Sequence, residues 1–263
     1  MATLFSAAAA AAETTGFDSD AAGGLPADWR AGVTARGSPK WTVEADASAP
    51  SKPNVLKQSG RGDFPWCVRP GVSLADGYVE VKFKPIAGRE DQAGGVVWRW
   101  KDGDNYYVAR ANALENNVSL YYTANGRRIT LKYVHAPVPG NTWHALRVEF
   151  SGKKIRVVYD GKAAIEMEDA HISGAGAVGV WTKADSVTLF DDFGWGHPPT
   201  DREQGFRGRG SRPAGSSGCH PVSSTPFASK HRSDLHHAKG VSCLTNSHRS
   251  TVVPGCCSAS RRS

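Results

Sequence analysis

Apolar and polar residues alternate with a period of two along most of the chain, most densely in residues 94–134, GGVVWRWKDGDNYYVARANALENNVSLYYTANGRRITLKYV. Read at that period, the block gives four short strands separated by polar turns at Lys101–Asn105, Leu114–Asn116 and Asn125–Gly126. The same alternation predicts strands over Trp41–Glu44, Val55–Gln58, Tyr78–Lys84 and Ala145–Phe150. It predicts four more over Lys154–Tyr159, Ala163–Met167, Val178–Thr182 and Val187–Phe193. Asn125-Gly126 and Asp160-Gly161 are tight-hairpin dipeptides, Gly152 closes another hairpin, and Ala75-Asp76-Gly77 leads into a strand. No stretch carries a long i, i+3, i+4, i+7 apolar pattern. So many short strands with frequent turns predict an all-β fold, a jelly-roll β-sandwich of two antiparallel sheets.

Composition divides the chain into a body and a tail. The formal net charge is +7, with 32 Lys and Arg against 25 Asp and Glu. Up to His197 the two signs balance at 22 each, and from Pro198 onward bases outnumber acids 10 to 3. All eight Trp and all seven Tyr precede His197, and the tail keeps only Phe206 and Phe227 as aromatics. A segment so poor in aromatics cannot bury enough surface to offset its ordering entropy, so residues 198–263 are expected to be a disordered basic tail. Its Arg, Ser, Pro, Gly, His and Cys bias also resembles translation in an unintended frame after about Gly196. A polyanion-binding tail is the third reading, but its charges come as scattered pairs without stacking aromatics. The neutral body, residues 14–197, has the size of one domain, and nothing in it points to nucleic acid.

Residues 1–13, opening MATLFSAAAAAAE, resemble the last part of a secretory signal and lead to the expectation of a secreted or periplasmic protein. An alanine-rich, frayed start is the plainer reading. There is no run of 18 strongly apolar residues, so no membrane-spanning helix is expected. Cys67 is the one cysteine of the body and reads as a small, half-buried thiol. The tail cysteines Cys219, Cys243, Cys256 and Cys257 lack the paired spacing of a zinc module. His135, His144 and His171 stand alone near strand ends and read as surface groups. Arg61-Gly62-Asp63 reads as a turn, and so short a triplet arises readily by chance.

The candidate chemistry lies in the 94–134 block. Trp98, Trp100 and Tyr106 fall on alternate positions, as do Arg110 and Asn112. An aromatic face stacks on the apolar C–H face of a sugar ring, and a guanidinium beside an amide can hold its hydroxyls or a carboxylate. On strict alternation Arg99 points away from Trp98, while Tyr122, Lys132 and Trp181 extend the groove. The competing reading is that the tryptophans fill the sandwich and Arg110 pairs with a carboxylate such as Glu115 or Asp104. The acidic clusters Asp18 with Asp20 and Asp191 with Asp192 open and close the body. If the first and last strands lie side by side, the four carboxylates could hold a structural Ca²⁺; alternatively they serve turns. No other cofactor is expected.

The combined pattern resembles the concanavalin A-like lectin/glucanase superfamily in its laminin G-like bacterial branch. The residues that carry the likeness are Leu25-Pro26-x-x-Trp29, Trp41-x-Val43-x-x-Asp46-x-Ser48-Ala49-Pro50, Asp76-Gly77 and Gly94-Gly95-Val96-Val97-Trp98-Arg99. Further along they are Asn105-Tyr106-Tyr107-x-x-Arg110-x-Asn112, Gly179-x-Trp181-Thr182-Lys183-Ala184-Asp185-Ser186 and Phe190-Asp191-Asp192-Phe193. The resemblance implies a jelly roll and a relation to 3-keto-disaccharide hydrolases and laminarinase-like glycoside hydrolases. Laminarinase-type enzymes on this fold carry E-x-D-x-x-E on one strand, which places both carboxylates beside one glycosidic bond. The run is missing here; the nearest, Glu166-Met167-Glu168-Asp169, reads as a solvated strand end. The reading that follows is a monomeric carbohydrate-recognising domain. A glycoside hydrolase with non-standard residues and a structural or protein-interaction module are the alternatives.

Overall fold

The computed structural model describes residues 12–197. In chain order the strands are β1 (Glu13–Thr15), β2 (Arg30–Ser38), β3 (Trp41–Ala45), β4 (Asn54–Gln58) and β5 (Arg61–Leu74). They continue as β6 (Gly77–Ala87), β7 (Ala93–Asp102), β8 (Asn105–Asn112), β9 (Asn117–Ala124) and β10 (Arg127–His135). The last five are β11 (His144–Ser151), β12 (Lys154–Tyr159), β13 (Lys162–Glu168), β14 (Gly176–Trp181) and β15 (Val187–Gly196). There is no helix among the described residues, hence none long and apolar enough to cross a membrane. The expected leader-like start and basic tail lie outside the described residues, apart from positions 12 and 13; Glu13 already belongs to β1.

Two antiparallel sheets form a jelly-roll sandwich. One runs β13-β12-β11-β6-β15-β4-β3 with β1 added to β15, and the other runs β10-β9-β8-β7-β14-β5-β2. Alternation places Val79, Val81 and Phe83 of β6 and Tyr107, Ala109 and Ala111 of β8 in the shared core. Trp98 lies there too, its ring stacked 5.2 Å from Tyr107. As the acidic ends suggested, the first and last strands are neighbours, with Thr15 opposite Phe193.

Three strands are absent from the alternation read in sequence, the short β1 and the longer β2 and β5. β2 carries Gly32, Gly37 and a left-handed Ala35, and β5 carries Gly62, Pro65, Pro70 and Gly71. Proline is tolerated in β5 because Pro70 falls where its pairing to β14 slips, between Arg69 and Leu74. Arg61-Gly62-Asp63 is therefore the start of this strand and not a turn.

Contacts across the seven-stranded sheet show that it curls. In a flat sheet four strand spacings would separate β8 from β2 by roughly 19 Å. Yet the Tyr106 hydroxyl on β8 lies 2.8 Å from Thr34 Oγ1 on β2, and Thr34 also donates to the Gly103 carbonyl of the β7–β8 hairpin. The face away from the shared core is thus concave, and its two edges approach each other.

Candidate functional site

A β-bulge decides which aromatic side chains reach the concave face. Arg99 adopts φ +46°, and the pairing of β7 to β8 slips between Trp98 and Asp102. The extra residue sends Trp98 and Arg99 to the same, inner side and returns Trp100 to the concave side. Trp98 and Arg99 both approach Phe150 in the shared core, Arg99 at 5.5 Å from the ring centroid. The Arg99 guanidinium donates to the carbonyls of Ala75, Ile172 and Gly152. So Trp98 and Trp100 do not share a face, and Arg99 does not oppose Trp98. Tyr122, which alternation placed in the groove, packs on the inner side with its ring 4.1 Å from His171.

On the concave face Trp66, Trp100, Tyr106, Tyr121 and Trp181 form a second aromatic layer with Val68, Val97 and Val108. Trp66 lies 5.2 Å from Trp100 and over Gly32, where a Cβ would come within 2.4 Å of its ring. Phe64 stacks on Trp181 at 5.9 Å. Trp100 is 7% exposed and Trp181 and Tyr106 are fully buried, so these rings make a filled layer instead of an open platform. The curl explains it, because a concave face crowds large side chains together.

The polar end of the same face is a buried network. Arg110 and Asn112, alternate residues of β8, both donate to Asp91 Oδ1, at 3.3 and 2.6 Å, and Lys183 donates to Asp91 Oδ2. Arg110 also donates to Glu115 at 2.7 Å and to the Tyr121 hydroxyl at 3.1 Å. Burial pushes the Glu115 carboxyl up, but hydrogen bonds from Asn117 and Arg110 and the Arg110 charge outweigh it, leaving the group below the usual carboxylate range. The expected pairing of Arg110 with Glu115 is present; Asp91, which no spacing marked, is the second partner. Asp91 is placed by Asp185, whose carboxylate accepts the successive backbone N–H groups of Arg89, Glu90 and Asp91 at 2.9–3.1 Å. Gly88 begins that turn at φ +140°, where a Cβ would fall 1.9 Å from the Asp91 carbonyl.

Beside this network a cleft of about 580 Å³ opens to solvent. Phe64 and Lys183 stand at its concave-face side, with Arg36, Arg61, Asp63 and Glu90 along its walls. Arg61 pairs with Glu90 at 2.7 Å, and the Arg36 backbone N–H donates to Asp63 at 3.1 Å. None of these residues was marked as a site from sequence. Phe64 and Trp66 do alternate, but the prolines and glycines of β5 hid that signal.

The four aspartates read as a cation site have separate partners. Asp191 is buried and accepts the Ser51 N–H and hydroxyl at 2.8 and 2.6 Å. Asp18 accepts the Asn54 N–H, Asp20 the Ala27 N–H, and Asp192 pairs with Lys82 at 2.7 Å. Burial pushes the Asp191 carboxyl up, against its hydrogen bonds from Ser51. Among the described residues no three carboxylate, histidine or cysteine groups converge on a point, and each of the four carboxylates has its own partner. Two expectations are corrected. Cys67 is fully buried, which pushes its thiol well up, and His144 is buried between Asp160, Tyr159 and the Pro139 carbonyl. Glu166 and Glu168 are exposed at the sheet edge, as a solvated strand end requires.

No family model matches the chain, and no curated protein matches it in sequence. Among solved structures it is similar to the carbohydrate binding module CBM66 from Bacillus subtilis, with a TM-score of 0.51 and 20% identity, over 63% of this chain and 93% of that one. It is also similar to the cellulose induced protein Cip1, with a TM-score of 0.52 and 13% identity, over 72% of this chain and 98% of that one. At such identities the likeness is one of fold. The fold is the jelly-roll β-sandwich that the sequence led one to expect.

Proposed function

We propose that this chain recognises carbohydrate in the cleft beside Phe64. The observation that carries the reading is the wall chemistry of that cleft, an aromatic side chain among the touching pair Arg61–Glu90, Asp63 and Lys183. A sugar ring presents apolar C–H bonds on one side and vicinal hydroxyls that each donate and accept. Neighbouring donors and acceptors on a guanidinium–carboxylate pair answer that pattern in one place. The volume lies in the usual range of small-ligand sites, about 300–1,000 Å³. The fold likeness to a protein named as a carbohydrate binding module supports the same reading.

A second cavity, of about 670 Å³, lies on the other sheet beside Tyr78, Arg147 and Glu149. Its charges already satisfy one another in a run Glu80–Arg147–Glu149–Arg156–Glu166, and Arg147 covers the Tyr78 ring at 3.7 Å.

The test is a glycan array probed with the full chain, followed by calorimetric titration of any hit. Glu90→Gln and Arg61→Ala change exposed side chains and should weaken binding about tenfold or more with the melting temperature retained. An array without a hit, or hits indifferent to both substitutions, would overturn the assignment. Release of reducing ends in the same incubations would mark the chain as a hydrolase.

A further inference from the structure

Arg128 packs on the ring that lines the cleft and has no anionic partner among the described residues. It lies on β10, and Phe64 lies on β5, five spacings across the sheet and roughly 24 Å apart were the sheet flat. The curl brings the Arg128 guanidinium to 4.4 Å from the Tyr121 centroid, 4.6 Å from that of Phe64 and 5.8 Å from that of Trp181. Three aromatic rings thus hold it over the groove, at the side chain that lines the cleft.

The cations that line the cleft, and Arg110 beside it, are all paired. Arg36 has Asp63, Arg61 has Glu90, Lys183 has Asp91, and Arg110 has both Asp91 and Glu115. Among the described residues no carboxylate lies within ion-pair distance of Arg128, and its Nη1 is buried without a hydrogen-bond partner. A guanidinium stays charged in proteins, and a half-buried one gains strongly from a fork of two acceptor oxygens. Aromatic faces hold such a cation in place without using its N–H donors. Carboxylate and sulfate offer the acceptor fork that it lacks.

Resting on the carbohydrate reading above, we infer that the ligand is an acidic saccharide whose carboxylate or sulfate group binds Arg128 beside the cleft-lining Phe64 ring. The neutral parts of the sugar then meet Arg61, Asp63 and Glu90.

The experiment uses the full chain on an array of uronic-acid and sulfated oligosaccharides beside their carboxyl-reduced and desulfated counterparts. The acidic form should bind about tenfold or more tightly than its neutral counterpart, with the advantage shrinking as salt rises. Whichever arm shows it tells carboxylate from sulfate. Arg128→Gln should remove the advantage, its melting curve confirming that the variant is folded, and Arg128→Lys should restore part of the advantage. Equal binding of acidic and neutral forms, or an advantage that survives Arg128→Gln, would overturn the inference and leave carbohydrate recognition standing. Failure of every saccharide, acidic or neutral, would overturn both. Tighter Arg128-dependent binding of a single-stranded oligonucleotide would assign the arginine to a different class of polyanion and overturn the inference as well.

Discussion

Trp98 and Trp100 are two residues apart on one strand, yet Trp98 stacks on Tyr107 between the sheets and Trp100 packs on Trp66 across the concave face. The left-handed Arg99 between them absorbs the extra residue of the bulge. Both rings are therefore core, in two different cores. Trp98→Ala should lose about 3–5 kcal/mol of stability, and Trp100→Ala a loss toward the lower end of that range. Urea denaturation measures both. A Trp100→Ala protein as stable as the parent would mean that the ring faces solvent as a binding platform.

The Arg110–Asp91 pair is buried on both sides. Arg110→Ala should cost about 3–5 kcal/mol, because Asp91 would keep a buried charge with less compensation. Adding Asp91→Asn to the same chain should recover at least about 1 kcal/mol, the signature of coupled neighbours. Losses that simply add would show that the two groups act independently.

Asp185 organises the 88–91 turn through three backbone N–H bonds. Burial pushes its carboxyl up, but those bonds dominate and hold it below the usual carboxylate range. A depressed carboxyl stabilises the fold above its unfolded value, about 3.9, and the contribution fades as pH falls through the folded value below that. With solvent screening allowed for, Asp185→Asn should cost about 1 kcal/mol at pH 7. The gap between variant and parent should close in acid. Melting curves from pH 7 down to the acid transition test this, and a gap that widened in acid would refute it.

Chelation bears on the four aspartates. A cation bound to the native state at a hundredfold its dissociation constant would add about 2.7 kcal/mol. Because Ser51, Asn54, Ala27 and Lys82 already engage these carboxylates, EDTA and added Ca²⁺ should leave the melting temperature unchanged. A rise with Ca²⁺ that EDTA reverses would restore the cation site.

Much of the fold was legible in the residues. Period-two alternation and the Asn125-Gly126 and Asp160-Gly161 turns located β7 to β10 and the β12–β13 hairpin nearly to the residue. β2 and β5 escaped because glycine and proline, which argue against a regular strand, sit there at an edge and at a register slip. Of the marked site residues, Arg110 and Asn112 do converge on one carboxylate, because they share a face of one strand. Trp98 and Trp100 were assigned one face, since alternation carries no mark of a bulge.

By itself, then, the sequence determined the local matters: strands, tight turns, the all-β class and a neutral, aromatic-rich body. Those rest on period, turn chemistry and composition, which neighbouring residues settle among themselves. Only the tertiary structure decided which rings are covered and which side chains meet. Phe64 and Arg128 are 64 positions apart in sequence and five strands apart in the sheet, and they touch because the sheet curls. Curl is a sum of small twists and slips over the whole sheet, with no residue pattern of its own.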